Sequence, residues 1–93
     1  MKYFLDVSTD ALYDIQQGVD YYNDQQKGLG KRFASLINKT FTNIKKMPLS
    51  ASFAFDNTRY KVVKKFPYIV LYRVQENTIL IARVFNTHQQ PIY

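Results

Sequence analysis

The chain contains no cysteine and a single histidine. The first absence excludes disulfides, thiolate nucleophiles and cysteine metal sites, and fits a reducing compartment. The second leaves nothing to build a histidine cluster from, so neither a metal centre nor a cofactor is expected. No apolar run approaches membrane-spanning length, and Tyr3-Phe4-Leu5 is stopped at once by Asp6, short of a signal-peptide core. The expectation is a cytoplasmic protein with no membrane partner. Internal repeats, linkers and low-complexity segments are missing too, and 93 residues suffice for one core and one domain, 1–93, but not for a second catalytic module.

What is present is apolar and aromatic. A hydrophobic fraction of 46% and an aromatic fraction of 16%, with eight Tyr, exclude a disordered chain and require that much of the aromatic content pack. The net charge of +6 is unevenly distributed. Residues 1–24 hold Lys2 against Asp6, Asp10, Asp14, Asp20 and Asp24, a balance of −4, whereas the remainder holds twelve Lys or Arg against only Asp56 and Glu76, a balance of +10. Such polarity suits an anionic partner for the second part, a nucleic acid or an acidic protein segment, and the bland alternative is a solvated surface on a small basic protein.

The strongest structural signal lies in Arg59 to Val74. Its second half is apolar or aromatic at nearly every position and rich in β-branched residues, which reads as a central strand. Its first half mixes Val62 and Val63 with Arg59, Lys61, Lys64 and Lys65, so one face can join a core while the other presents cations. Phe66-Pro67 separates the halves, because proline lacks a ladder donor and biases the preceding residue toward extended backbone. A hairpin or tight corner is expected there.

Upstream, Lys2 to Val7 reads as a strand, with Ser8 or Thr9 capping a helix and Asp10 in its first turn. Leu12, Ile15, Val19 and Tyr22, with Ala11 alongside, form the core-facing stripe of that helix, leaving Asp10, Asp14 and Gln17 on the other side. Gly18 lowers helix propensity by roughly 1 kcal/mol, a cost that close approach of a second helix would explain. Lys27-Gly28-Leu29-Gly30 breaks the helix, and the period resumes through Leu29, Phe33, Leu36, Ile37, Thr40, Phe41 and Ile44. Lys45 and Lys46 suit the last turn and Pro48 ends the segment. Leu49 to Thr58 reads as a loop with a short strand, Thr78 to Phe85 as a further strand, and Asn86 to Tyr93 as a polar tail. The fold class is therefore α+β: an N-terminal strand, then a helical hairpin packed on one face of an antiparallel sheet, with the other face left to solvent or to a partner.

Asp14-Ile15 with Asp20-Tyr21-Tyr22, Gly28-Leu29-Gly30 with Phe33, Pro48, Arg59, Phe66-Pro67-Tyr68 with Tyr72, and His88 followed by Pro91 together resemble the RelE/ParE superfamily of bacterial type II toxins. The resemblance covers almost the whole chain, and it is the order of these pieces at this length that is distinctive. It implies a helical hairpin on a curved antiparallel sheet and a cognate antitoxin that wraps the toxin. It leaves two targets open: RelE-like members act as ribosome-dependent mRNA endoribonucleases, while ParE-type members act on DNA gyrase and are not enzymes.

Metal-independent ribonuclease chemistry needs a base for the 2′-OH, cations for the crowded phosphate and an acid for the leaving oxygen. Arg59, Arg73 and Arg83 are the candidate cations, His88 and Tyr93 the candidate proton-transfer or base-stacking groups, and Lys61, Lys64 and Lys65 the candidate nucleic-acid or partner-binding residues. The bland reading is solubility for the lysines and a polar tail for His88 and Tyr93. Arg73 depends on register: a two-residue turn at Glu76-Asn77 puts it opposite Leu80 and away from Arg83, whereas a three-residue turn over 75–77 puts both arginines on the face of Ile79 and Ile81. The absence of glycine favours the longer turn and a shared face. The tail, His88-Gln89-Gln90-Pro91-Ile92-Tyr93, departs from the nuclease branch, whose members tend to carry arginine near the terminal histidine or tyrosine; glutamine supplies no full positive charge. A ParE-like toxin, a weakened toxin and a non-catalytic basic nucleic-acid- or protein-binding module are the alternatives.

Overall fold

The structure is a computed structural model and describes residues 2–88. Strand β1 (Phe4–Val7) leads directly into helix α1 (Thr9–Gln25). Ser8 is the N-cap, and its hydroxyl serves two elements at once: it accepts from the Ala11 N–H at 3.0 Å and donates to the Ala82 carbonyl at 2.8 Å. The cap that starts the helix thereby ties its first turn to the sheet.

That tie decides which residue of α1 faces inward. Ala11 is fully buried, whereas Leu12, expected on the core stripe, is 56% exposed: with Ser8 tied to Ala82, the first turn presents Ala11 to the sheet. Further along, Ile15, Val19 and Tyr22 join the core as expected. Gly18 does permit close approach: a Cβ there would lie 2.5 Å from Phe33 Cε2.

Gly28, at φ +86°, turns the chain into helix α2 (Leu29–Lys46). No side chain of Gly28 is available as a cap, and Asn23 of α1 supplies one instead, its Oδ1 accepting from the Gly30 N–H at 2.9 Å. Phe33, Ile37, Thr40, Phe41 and Ile44 form the buried stripe of α2, and Lys45 and Lys46 occupy its last turn, where cations complement the helix dipole.

Strands β2 (Phe53–Phe55), β3 (Thr58–Val62), β4 (Tyr68–Gln75) and β5 (Thr78–Asn86) complete a five-stranded sheet of order β1-β5-β4-β3-β2. β4 is central and buried at every position from Tyr68 to Tyr72. The sheet is not wholly antiparallel: β1 pairs parallel with β5, Phe4 opposite Thr78 and Val7 opposite Ile81. The core joins α2 to the sheet through Phe33, Ile37 and Ile44 against Val70, Tyr72, Ile79 and Ile81, with a ring cluster of Tyr22, Phe33, Phe66 and Tyr68 at one end.

The β4–β5 turn corrects the expected register. Gln75 pairs with Thr78, so Glu76 and Asn77 alone make the turn, and Glu76 takes the positive φ of +55° that glycine would otherwise supply. Arg73 accordingly lies opposite Leu80 rather than on the face of Ile79 and Ile81. Beyond it the register shifts: Tyr72 pairs with Ile81 but Leu71 with Arg83, leaving Ala82 as the extra residue of a bulge. The bulge inverts the alternation of β5. Val84 takes the core position that uninterrupted alternation would assign to Arg83, and an arginine is kept out of an apolar interior.

Candidate functional site

Arg83 owes its environment to that bulge and to α1. Its Nε and Nη2 donate to Asp14 Oδ2 and Oδ1 at 2.7 and 2.9 Å, and Asp14 Oδ2 also accepts from the Val84 N–H at 3.0 Å. β1 ends at Val7, opposite Ile81, so the carboxylate receives a donor on β5 past the end of that pairing. The two hydrogen bonds to Asp14 raise the Arg83 pKa above its usual value, and the guanidinium remains charged at any working pH. Asp14 therefore faces the sheet rather than solvent. Its position at i+3 from Ala11 and i−4 from Gly18, on the small-residue stripe of α1, is the sequence signal that identifies it.

Arg59, opposite Tyr72, belongs to a different part of the molecule. Its Nη1 donates to the carbonyls of Leu49 and Ala51 at 3.1 and 2.6 Å, its guanidinium lies 4.0 Å from the Phe53 ring centroid, and the Tyr72 hydroxyl donates to the Pro48 carbonyl at 2.8 Å. Together Arg59 and Tyr72 pin the connection between α2 and β2. Burial raises the Tyr72 pKa, with the charge of Arg59 opposing. Arg73 Nε donates to the buried Thr58 Oγ1 at 3.1 Å. The three candidate cations thus have three separate sets of partners and do not converge on one network.

The start of the tail is held at the Phe66-Pro67 corner, where Thr87 donates to the Pro67 carbonyl from both N–H and Oγ1, and the His88 N–H donates to Asn86 Oδ1 at 2.9 Å. His88 is exposed, and Tyr93 lies outside the described residues. Lys61 sits on β3 opposite Val70, while Lys64 and Lys65 occupy the β3–β4 connection, Lys65 at φ +70°. Among the described residues no group of His, Cys, Asp or Glu gathers to hold a metal ion, and no helix is long and apolar enough to cross a membrane.

Among the clefts that flank these groups are two between a helix and the sheet. One, of about 330 Å³, opens between α1 and the ends of β4 and β5, lined by Asp14, Gln17, Asp20, Tyr21, Tyr68 and Asn86 among others. Burial raises the Tyr68 pKa there, partly offset by the Asn86 side-chain amide, which donates to its hydroxyl at 3.4 Å. The other, of about 270 Å³, lies between α2 and β3 and is lined by Leu36, Lys39, Asn43, Lys61, Val62 and Lys64 among others. Lys61 and Lys64 are candidates from the sequence; Lys39 is not among them, although it follows the stripe residues Leu36 and Ile37 and precedes Thr40.

Comparison with known proteins supplies a family. The model described as the ParE toxin of the type II toxin-antitoxin system, parDE, matches residues 5–91. No curated protein sequence matches the chain. Among solved structures, the fold is similar to a chain of the chromosomal ParDE system from P. aeruginosa, with a TM-score of 0.82 at 15% identity over 91% of this chain and 96% of that one. It is also similar to a chain of the RelBE2 toxin-antitoxin complex from Mycobacterium tuberculosis, with a TM-score of 0.65 at 18% identity over 92% of this chain and 99% of that one.

Proposed function

The chain belongs to the ParE toxin family of type II toxin-antitoxin systems, and from that premise we propose that it arrests growth in the cytoplasm by acting on DNA gyrase, with a cognate antitoxin as its neutralising partner. The observation that carries the choice of target is the dispersal of the cations. A metal-independent ribonuclease must aim several positive groups at one phosphate, yet Arg83 is held by Asp14, Arg59 by the Leu49 and Ala51 carbonyls, and Arg73 by Thr58. A toxin that works by binding a protein surface needs no such convergence. The antitoxin is supported by the similar chains of the ParDE system and the RelBE2 complex, and by the +10 balance of residues 25–93.

The test is a pair of assays on the purified chain: supercoiling of relaxed plasmid by gyrase, and integrity of mRNA on translating ribosomes. The expected result is loss of supercoiling with intact mRNA. Cleaved mRNA with normal supercoiling would reverse the assignment, and Arg59, Arg73, Arg83, His88 and Tyr93 would then be the residues to replace first.

A further inference from the structure

The cleft between α2 and β3 is bordered by lysines from three parts of the chain. Lys39 approaches it from the helix, Lys61 from the strand and Lys64 from the connection that follows. Among the described residues the only ion pair is Arg83–Asp14, so none of the three lysines has a carboxylate partner. The sequence offers none nearby: there is no acid between Asp24 and Asp56, nor between Asp56 and Glu76. Three like charges therefore border one concavity without compensation, a self-repulsion that an anionic ligand would remove.

Between the lysines the lining is mixed, with Leu36 and Val62 as its apolar part and Asn43 as its polar part. Leu36 is half-buried and Val62 is 61% exposed, while the Thr40 hydroxyl is turned away to the Leu36 carbonyl at 2.8 Å. Lys61, Val62 and Lys64 also border a shallower depression with Ser50, Ser52 and Tyr60, so the concavity continues over β3 as a trough. A ligand matched to it carries carboxylates on its flanks and an aliphatic side chain in its middle. A phosphate backbone meets the charge but leaves Leu36 and Val62 uncovered, and the narrow part of the trough has neither an aromatic ring nor an arginine on which a base could stack.

We propose that this trough seats an acidic, amphipathic peptide segment of the antitoxin, its carboxylates against Lys39, Lys61 and Lys64 and an apolar side chain on Leu36 and Val62. The assignment rests on the antitoxin reading above and adds to it a place and a chemistry. Charge complementarity of this kind acts on the association rate and is weakened by salt.

The experiment uses the full chain, the protein encoded by the adjoining reading frame as probe, and the triple variant K39E/K61E/K64E, with K31E/K45E, whose lysines lie outside the trough, as a control. Circular dichroism and thermal melts establish that both variants fold. The expected result is that the triple variant binds the partner more weakly by about tenfold or more at roughly 0.1 M salt and loses most of the salt dependence, while the control changes little. If the wild-type chain binds the partner and the triple variant binds equally well, the trough assignment is overturned while the antitoxin reading stands. If the wild-type chain does not bind it, the antitoxin reading fails and takes this proposal with it. A single-stranded oligonucleotide of about 20 nucleotides that binds the wild-type chain more tightly than the partner does, and loses that binding in the triple variant, would make the trough a nucleic-acid site and overturn the proposal.

Discussion

The seam between α1 and β5 and the trough between α2 and β3 are both places where a helix meets the sheet beside charged side chains, and they treat charge in opposite ways. At the seam, Arg83 and Asp14 meet with two hydrogen bonds and the carboxylate takes a backbone donor as well. At the trough, three lysines meet no acid among the described residues. Charge at the seam belongs to the fold, since removing the carboxylate leaves the Val84 N–H without its partner. Charge at the trough is surplus to the fold, and surplus charge is what a partner can use. The net charge of +6 hides this division.

If the division is right, the largest effect on stability comes from Asp14→Ala. It leaves the Val84 N–H unsatisfied and Arg83 without its partner, a loss of about 2 to 3 kcal/mol after discounting for the half-exposed guanidinium. Arg83→Ala should cost less, about 1 kcal/mol, because the backbone donor keeps its acceptor. Urea unfolding of both single variants and the double variant measures the pair, and an Asp14→Ala cost no larger than that of Arg83→Ala would show that the Val84 contact contributes nothing.

Next in size is Gly18→Ala. The added Cβ meets Phe33 Cε2 and Cζ at 2.5 and 2.7 Å, and Phe33 is fully buried among the rings of Tyr22, Phe66 and Tyr68, so it has little room to yield. Overpacking of this kind costs about 1 to 3 kcal/mol, offset in part by the roughly 1 kcal/mol that alanine gains over glycine in a helix. A net loss of about 1 kcal/mol in the same assay is expected, and a gain would mean that the helices can part without penalty.

A smaller effect follows from the buried Tyr68 and Tyr72 and the half-buried Tyr22. Burial raises the pKa of Tyr22, Tyr68 and Tyr72 in the folded chain. The unfolded chain then releases these protons first, so their contribution to stability is intact below about pH 10 and is lost as pH rises through the folded values. Denaturant midpoints measured from pH 8 to 11 should fall, and fall less steeply in Tyr72→Phe. The difference between the two chains isolates the tyrosine, because the lysines titrate in both.

Much of this fold is legible in the sequence because the decisive signals are local. The β-branched run from Tyr68 identifies the central strand, Ser8-Thr9 the place of the cap, Pro67 the corner, and the 3.6-residue period from Phe33 to Ile44 the buried face of α2. What is not legible is set by partners distant along the chain. The parallel pairing of β1 with β5 joins residues more than 70 positions apart, and no local pattern announces it. Ala11 rather than Leu12 faces inward because Ser8 is tied to Ala82. The bulge at Ala82 changes the face on which Arg83 lies, and the turn at Glu76 accepts a positive φ without glycine. The candidate site divides in the same way. Lys61 and Lys64 stand out in the sequence as cations mixed with valines, but only Val63 joins the core: Val62 is exposed and Lys61 is half-buried opposite Val70. That Lys39 joins the two lysines depends on how α2 lies against β3.

The smallest expected effect is also the one that separates the two regions most sharply. Replacing Lys39 and Lys64 by glutamine and Lys61 by methionine, which keeps the apolar stem of the half-buried side chain, removes three charges from the trough without removing a hydrogen bond present in the fold. Stability should change by no more than about 0.5 kcal/mol, as for surface substitutions away from structural contacts. The change should be toward greater stability, because the substitutions relieve like-charge repulsion and break no ion pair found among the described residues. Salt supplies the check on that cause: at roughly 0.5 M the screening length is short enough to mask the repulsion in the wild-type chain, so the two melting curves should approach one another. A loss of stability as large as that of Asp14→Ala would mean that these lysines, too, belong to the fold, and the distinction between the seam and the trough would collapse.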